Sequence, residues 1–237
     1  MKTNKKKGLG RGLDALLGAN NNPNQDDSGS QKEQQNLSIN LLQAGKYQPR
    51  RMMADEPLRE LADSIRERGV VQPLLVRSIG SGRYEIIAGE RRFRAATLAG
   101  LKEVPVRILE ADDQAAAAIA LIENMQREDL NPLEESRGLS RLIQEFGFTH
   151  EQAAKAVGKS RSAITNLLRL SQLSSAVQAM LSAGDLDMGH ARALLSLPGA
   201  SQIVLAQKIV AQGLSVRETE KLAASAALIS GDLSQKK

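Results

Sequence analysis

The pattern of apolar and polar positions changes character near residue 130. Before that point, short apolar runs alternate with stretches whose apolar residues recur at helical spacing. The predicted strands are "LSINLL", "VVQPLLVRSI", "YEIIA" and "VPVRIL", and the predicted helices lie in "DEPLRELADSIRERG", "AGERRFRAATLAG" and "DDQAAAAIALIENMQRE". The turn "GSGR" joins the second and third strands into a hairpin, and Pro73 suggests that this hairpin lies at a sheet edge. We therefore expect an α+β domain over residues 37–128.

The sequence beyond Leu130 predicts helices alone. Asn131 and Pro132 have the form of a helix start, with asparagine as the cap and proline in the first turn. Short amphipathic stretches follow, and they are interrupted at Gly147, Gly158, Gly184, Pro198 and Gly213. Residues 129–237 are therefore predicted to form an all-α domain.

The N-terminal region differs from both of these parts. The stretch "KKKGLGRGLDALLG" places leucines at helical spacing beside a basic cluster, but it is too short and too rich in glycine to form a stable helix alone. Residues 1–18 are then either a disordered basic tail or a peptide that folds on a partner. Residues 19–36 form a polar, low-complexity linker, which we expect to be disordered.

The composition excludes several classes of function. The 237 residues include three Phe, two Tyr and no Trp, which argues against a platform that stacks single-stranded nucleic acid. The absence of cysteine excludes disulfides, thiolate zinc sites and cysteine nucleophiles. Neither of the two histidines lies in a ligand pattern, so a metal would be held by oxygen atoms. No apolar run approaches membrane length, and we expect a cytoplasmic protein with no membrane partner.

The positive charge is concentrated in two places. Of the net charge of +5, residues 1–18 contribute +4, so the rest of the chain is nearly neutral. A DNA-binding face would therefore be a local patch. Such a patch lies in residues 149–172, where four cations stand against the single carboxylate of Glu151: Lys155, Lys159, Arg161 and Arg169.

The same patch, "THEQAAKAVGKSRSAITNLLRL", has a helix-turn-helix pattern. Ala154 is small enough for a close helix crossing, and Gly158 suits the positive φ of the turn. Ser160 can cap the second helix, whose buried side would carry Ile164 and Leu167. The groups on or near its outer face can read base edges or hold phosphates: Arg161, Ser162, Thr165, Asn166 and Arg169. The alternative is an ordinary helical hairpin with a solvated polar face.

Three arginines stand at an unusual place in "AGERRFRAATLAG". Arg91, Arg92 and Arg94 occupy the first turn of the predicted helix, where the macrodipole is already positive. The free N–H groups of a helix start, with Gly89 beside them, suit an anion such as a triphosphate. The alternative is a set of surface arginines paired with carboxylates, for example that of Glu90, and the spacing does not separate the two.

A third stretch, "ENMQREDLNP", is weaker when it is taken by itself. Glu123 and Arg127 are one helical turn apart and can simply pair. Glu123 and Asn124 also offer oxygen ligands that suit Mg²⁺ beside a phosphate group.

Together, "QPLLVR", "AGERRFRAA" and "ENMQREDLNP", followed by a helix-turn-helix, resemble the ParB family of bacterial chromosome-partitioning proteins. The tail "KGLGRGLDALLG" and the later "MGHARALL" match the pattern of that family as well. The resemblance implies an α+β, ParB/sulfiredoxin-like N-terminal domain that binds CTP with Mg²⁺ and hydrolyses it slowly. It also implies an all-α helix-turn-helix domain that binds the centromere-like DNA site parS, and a nucleoid-associated homodimer that closes into a sliding clamp.

The resemblance carries the family's site residues to this chain motif by motif. In the nucleotide set, Gln72 lies on the cytosine side. The residues around the triphosphate are Gly89, Glu90, Arg91, Arg92 and Arg94. The residues on the metal and phosphate side are Glu123, Asn124 and Arg127, of which Glu123 and Asn124 are the metal ligands. The DNA set is Lys159, Ser160, Arg161, Ser162, Thr165, Asn166, Arg169, His190 and Arg192, with Gly189 beside them. The peptide of residues 1–18 would stimulate a ParA-type ATPase through Leu9, Arg11 and Leu13. No catalytic residue is implied.

The chain departs from the family pattern in two places. Gly45-Lys46 stands where the family often has Asn-Pro, which bears on the shape of that loop and on the rate of hydrolysis. The chain ends at "GDLSQKK", where members usually continue into a C-terminal dimerisation domain.

The alternative to a partitioning protein is a nucleoid-occlusion-like protein or a simple helix-turn-helix regulator, which would share the same parts. A sulfiredoxin-like enzyme is excluded, because the chain has no cysteine nucleophile.

Overall fold

A computed structural model describes residues 34–46, 55–127 and 130–234 of the chain. The described residues divide into two compact units, with the division between Asn124 and Met125. The predictions for Leu9, Arg11 and Leu13, for most of the linker and for "YQPRR" lie outside these ranges.

A five-stranded mixed sheet organises the first unit. Its strands are β1 (Gln35–Ser38), β2 (Leu42–Gln43), β3 (Leu74–Gly80), β4 (Arg83–Ala88) and β5 (Glu103–Ile108), in the spatial order β1-β5-β3-β4-β2. The predicted hairpin of β3 and β4 is confirmed, and both central residues of its turn, Ser81 and Gly82, have positive φ, as a type I′ turn requires. The expected edge position is wrong, because β3 pairs with β4 on one side and with β5 on the other. Pro73 lies just before the strand, where its missing N–H removes no ladder bond.

Residues 37–42, which the sequence predicts as one strand, contribute to two. β1 and β2 lie at opposite edges of the sheet and are separated by a 3₁₀ turn at Ile39–Leu41. The four residue steps from Ser38 to Leu42 span at most about 14 Å, whereas four strand spacings in a flat sheet amount to about 19 Å. The sheet is therefore curved, and one short segment of chain supplies both of its edges.

Helices cover both faces of this sheet. α1 (Asp55–Arg68) and α2 (Glu90–Leu98) form one core with the sheet. α3 (Asp113–Met125) packs against the opposite face, where its Ile119 contacts the cluster around Ile87. Because successive strand residues point to opposite faces, β3 and β4 contribute to both cores, for example through Ile86 on one face and Ile87 on the other.

The described part of the second unit is helical. Its helices are α4 (Pro132–Gln144), α5 (His150–Val157), α6 (Arg161–Arg169), α7 (Ser175–Ala183), α8 (Met188–Leu194), α9 (Gly199–Gln212) and α10 (Val216–Ser234). The helix starts follow the sequence: Asn131 accepts from the Leu133 N–H, and Thr149 forms a capping box with Gln152. The predicted order of an α+β domain followed by an all-α domain is confirmed. Within the described ranges, no helix has the length and apolar character needed to span a membrane.

Candidate functional site

The helix predicted from "AGERRFRAATLAG" is α2, and its N-terminus is open. Gly89 precedes it in the left-handed conformation, with a φ of 102°. A Cβ at this position would lie 3.3 Å from both Arg92 Nη2 and Leu74 Cγ, so glycine suits the backbone and the space together. Glycine offers no side chain to cap the helix, and the first intrahelical bond is donated by Phe93 N–H to the Gly89 carbonyl. The N–H groups that precede Phe93 are therefore available to a ligand.

Arg92 connects this helix start to the other two stretches of the predicted nucleotide set. Its Nη1 donates to the carbonyl oxygens of Gln72, at 2.8 Å, and Pro73, at 2.9 Å, just before β3. Burial lowers the pKa of Arg92, and the negative charge of Glu123 on α3 opposes this shift without cancelling it. Gln72, Arg92 and Glu123 were predicted from three separate stretches. In the fold, Arg92 forms a hydrogen bond with the Gln72 carbonyl and interacts electrostatically with Glu123.

The other two arginines of the motif have different surroundings. Arg91 is exposed, and it forms no ion pair with another described residue. Arg94 Nε donates to Glu90 Oε1 at 2.8 Å, one turn back along α2. Glu90 is buried, and its second oxygen, Oε2, has no hydrogen-bond partner among the described residues. Of the two interpretations drawn from the sequence, carboxylate pairing therefore describes Arg94, whereas Arg92 meets main-chain carbonyl groups.

The predicted metal ligands lie at the end of α3. Glu123 is exposed and Asn124 is half-buried. Arg127 follows the helix, which ends at Met125. Among the described residues, no group of three or more His, Asp or Glu side chains could form a metal cage. Mg²⁺ commonly binds through one or two protein oxygens together with phosphate oxygens and water, and this pair of residues fits that chemistry.

A buried ion network on β3 and β4 is absent from the sequence-based predictions. Arg77 donates through Nε and Nη2 to Glu85 Oε2, with an Nε distance of 2.7 Å, and both residues are at most 4% exposed. Asp113 Oδ1 lies 2.6 Å from Arg77 Nη2, and Lys46 N–H donates to Glu85 Oε1 at 3.0 Å. The network therefore joins the sheet to the start of α3 and to the loop that contains Gly45-Lys46. The hairpin register, which pairs Arg77 with Glu85, was the signal that could have found it.

The helix-turn-helix pattern corresponds to α5 and α6. Gly158 ends α5 with a φ of 71°, and the Ser160 hydroxyl accepts from Ala163 N–H at 3.1 Å to cap α6. Ile164 and Leu167 are buried, as the pattern predicts. The outward groups of α6 are exposed apart from the half-buried Asn166: Arg161, Ser162, Thr165 and Arg169. The helix therefore presents cations and hydroxyl groups on one face and apolar groups on the other.

Two cationic or titratable members of the predicted DNA set have partners inside the second unit. Lys159 Nζ lies 2.9 Å from Glu135 Oε1 on α4. His190 is 8% exposed, and its Nδ1 accepts from Asp187 N–H at 3.2 Å. Its Nε2 then carries the proton and donates to the Leu214 carbonyl at 3.0 Å. His190 thus ties α8 to the residues before α10, while its proximity to DNA stays a prediction.

The neighbouring residues of "MGHARALL" differ from His190. Arg192 is exposed on α8. Gly189 faces Val216 at the start of α10, and a Cβ at Gly189 would lie 2.7 Å and 2.8 Å from the two Val216 Cγ atoms. Because those atoms belong to a β-branched side chain with little freedom, glycine is required by the close packing of α8 on α10.

Comparison with known proteins identifies both units. Family models match the chain for the ParB N-terminal domain over residues 23–125 and for the ParB HTH domain over residues 128–227. A probable chromosome-partitioning protein ParB of Pseudomonas putida is 57% identical over 221 residues, which is 92% of this chain and 76% of that protein.

Two solved structures are similar as well. One is the C-terminally truncated ParB of Caulobacter crescentus complexed to the centromeric parS site, which is 45% identical and covers 81% of this chain and 100% of that chain, with a TM-score of 0.73. The other is the C-terminally truncated Caulobacter ParB complexed with CTP-gamma-S, which is 46% identical and covers 75% of this chain and 99% of that chain, with a TM-score of 0.39.

Proposed function

The chain belongs to the ParB family of chromosome-partitioning proteins, and on that premise we propose that it is a CTP-dependent DNA-binding protein of chromosome or plasmid partitioning. In this proposal the helix-turn-helix unit binds parS DNA, and the first unit binds CTP with Mg²⁺. CTP binding and slow hydrolysis switch a homodimer between an open state and a state clamped on DNA. The protein is then nucleoid-associated.

The observation that carries the nucleotide part is the position of Arg92 beside the open start of α2. Its guanidinium is held by two carbonyl groups, which orient the charge without neutralising it. A half-buried cation next to free helix N–H groups favours a phosphate chain, because charge-assisted hydrogen bonds are stronger than neutral ones. Arg91 extends the positive surface along the helix, whereas Arg94 is paired with Glu90. The choice of cytidine over other nucleosides, with Gln72 on the base side, follows the family resemblance.

The metal and phosphate side is assigned to the end of α3. Glu123 and Asn124 would hold Mg²⁺, and Arg127 would contact phosphate. When bound, the metal neutralises phosphate charge and favours attack on the terminal phosphoryl group. Within the chain itself, Glu123 lowers the cost of keeping Arg92 charged, and Glu90 orients Arg94.

The DNA part rests on the second unit. α6 carries the exposed cations and hydroxyl groups that major-groove recognition requires, and its cap at Ser160 fixes the direction of its first turn. Arg161 and Arg169 are assigned to phosphates or guanines, and Asn166 to a base edge. Arg192 would contact the backbone, and Gly189 and His190 would position α8.

The remaining parts of the proposal follow the family alone. Residues 1–18 form the peptide that stimulates a ParA-type ATPase through Leu9, Arg11 and Leu13. The prediction of a linker up to residue 36 is wrong for Gln35 and Asn36, which belong to β1 and pair with β5. Residues 19–34 are then the linker, residues 35–128 the CTP-binding domain and residues 129–237 the parS-binding domain.

Isothermal titration with CTP, ATP, GTP and UTP, each with Mg²⁺ and with or without parS duplex, tests the switch. We expect binding of CTP in preference to the other three. The absence of a CTP preference in both conditions contradicts the switch and leaves a plain helix-turn-helix regulator.

Two variants test whether the sites are separable. Arg92→Ala should abolish CTP binding and spare initial parS binding, because Arg92 lies in the first unit and the helix-turn-helix in the second. Arg161→Ala should weaken parS binding and spare CTP binding. The loss of both activities in either variant would contradict the assignment of one function to each unit.

A further inference from the structure

Lys159 differs from the other cations of the helix-turn-helix because the second unit itself neutralises it. It follows Gly158 in the turn between α5 and α6, and its side chain is 40% exposed. Its partner, Glu135, lies in the first turns of α4 with a side chain that is only 11% exposed. Lys155, Arg161 and Arg169 are exposed, and none of them forms an ion pair with another described residue.

The Glu135 side of this pair is a poor stabilising contact. Oε1 of Glu135 is buried, and Lys159 Nζ lies 2.9 Å from it, at the distance of a charge-assisted hydrogen bond. The cost of removing the Glu135 carboxylate from water offsets much of its attraction to Lys159, so a pair of this kind adds little net stability. The burial of Glu135 also weakens the screening of its attraction for Lys159. The main effect of the pair is therefore on charge and not on stability: it neutralises Lys159 on the surface proposed to face DNA.

We propose that Glu135 limits the sequence-independent DNA affinity of this unit by holding Lys159 away from phosphates. The proposal rests on the proposed DNA-binding function, and it changes the role of Lys159 from a phosphate contact to a withheld cation. Phosphate contacts supply nearly all of the affinity for DNA of arbitrary sequence. Because a genome offers a great excess of such competing sites, withholding one cation favours the sites that α6 reads through base contacts.

The first test compares Glu135→Gln with Glu134→Gln in the full chain. Each variant removes one negative charge from the start of α4, but Glu134 is exposed and has no ion pair with another described residue. Binding to a fluorescent duplex of scrambled sequence is measured by anisotropy between about 50 and 200 mM salt. Glu135→Gln should steepen the slope of log K against log salt by about 0.9, as one added phosphate contact does. The gain in affinity of Glu135→Gln is then roughly threefold larger at the low salt concentration than at the high one. Glu134→Gln should leave the slope unchanged.

Unchanged slopes in both variants, or equal steepening in both, would overturn the proposal. In the first case Lys159 is not withheld, and in the second only the net charge matters. Thermal unfolding of each variant shows whether it is folded.

A second test does not depend on the folding of a Glu135 variant. If Lys159 is withheld, Lys159→Gln leaves the salt slope of the otherwise unchanged chain as it is, whereas Arg161→Gln reduces it by about 0.9. Equal reductions in the two variants would overturn the proposal.

Failure of the proposed function has a different signature. The unaltered chain would then bind parS and scrambled duplexes equally, or bind neither. The role of Glu135 is decided only by the change of slope on the scrambled duplex.

Discussion

Arg77 and Arg92 belong to the same unit, and their electrostatic surroundings are opposite. Burial by itself lowers the pKa of both guanidinium groups. At Arg77, the hydrogen bonds and charges of Glu85 and Asp113 outweigh burial, and the pKa is raised. At Arg92, burial outweighs the attraction of Glu123, and the pKa is lowered. Arg77 is thus neutralised by the protein, whereas Arg92 is left with uncompensated charge.

This difference separates a structural ion pair from a candidate ligand site more clearly than exposure does. Arg77 is the more deeply buried of the two, but its nitrogen atoms meet two carboxylates and the carbonyl oxygen of Ala111. Arg92 meets two carbonyl groups, which hold its guanidinium in place and leave its charge uncancelled. An anionic ligand would bind most favourably to a cation that the protein orients but whose charge it does not neutralise.

The largest effect is expected for Arg77→Met, because it leaves the buried Glu85 carboxylate without its cation. Breaking a buried ion pair on one side costs about 3–5 kcal/mol. We expect the free energy of unfolding of the first unit, from urea titration followed by circular dichroism, to fall by that amount. Arg107→Met, which changes an exposed arginine on β5, is the matched control and should have little effect. A loss below about 1 kcal/mol at Arg77 would place this pair in the class of solvated surface contacts.

The Arg77–Glu85 pair also shows what the sequence could and could not predict. The turn at Ser81 and Gly82 is local chemistry, and it sets the register that brings the two charges together. Each charge by itself is ordinary for a half-solvated strand. Only the packing of α3 on that face buries them, and that packing depends on contacts between distant parts of the chain.

The same distinction explains the other outcomes. Gly158, Ser160 and Asn131 were predictable, because a helix end is decided by residues within a few positions of it. The central position of β3 and the splitting of residues 37–42 depend on strands far apart in sequence. At the candidate nucleotide site, the sequence indicated three arginines, but it could not single out Arg92, whose partners lie 19 and 20 residues away.

A smaller effect is expected for Arg92→Lys, which tests whether orientation matters as well as charge. Lysine keeps the positive charge, but it lacks the planar group with which arginine spans two acceptors. The loss of one well-placed hydrogen bond costs about 0.5–1.5 kcal/mol, so CTP should bind up to about tenfold more weakly. Titration calorimetry measures the change, and Arg91→Lys on the exposed side of the same turn is the control. Equal losses in the two variants would mean that Arg92 acts by charge alone.

The smallest effect is expected for Asp113→Asn, which removes only the exposed partner of Arg77. The hydrogen bond and charge of Arg77 lower the pKa of Asp113. A carboxyl group whose pKa is lower in the folded state stabilises the fold above its unfolded pKa, near 3.9, and this contribution is lost as pH falls through the folded value. Urea midpoints of the original chain should therefore exceed those of Asp113→Asn at neutral pH, and the difference should shrink below about pH 4. The control Glu103→Gln, on the exposed face of β5, should show no such convergence. A difference that persists unchanged at low pH would instead mean that the charge of Asp113 does not stabilise the fold, and the charge of Arg77 would then be neutralised by Glu85 alone.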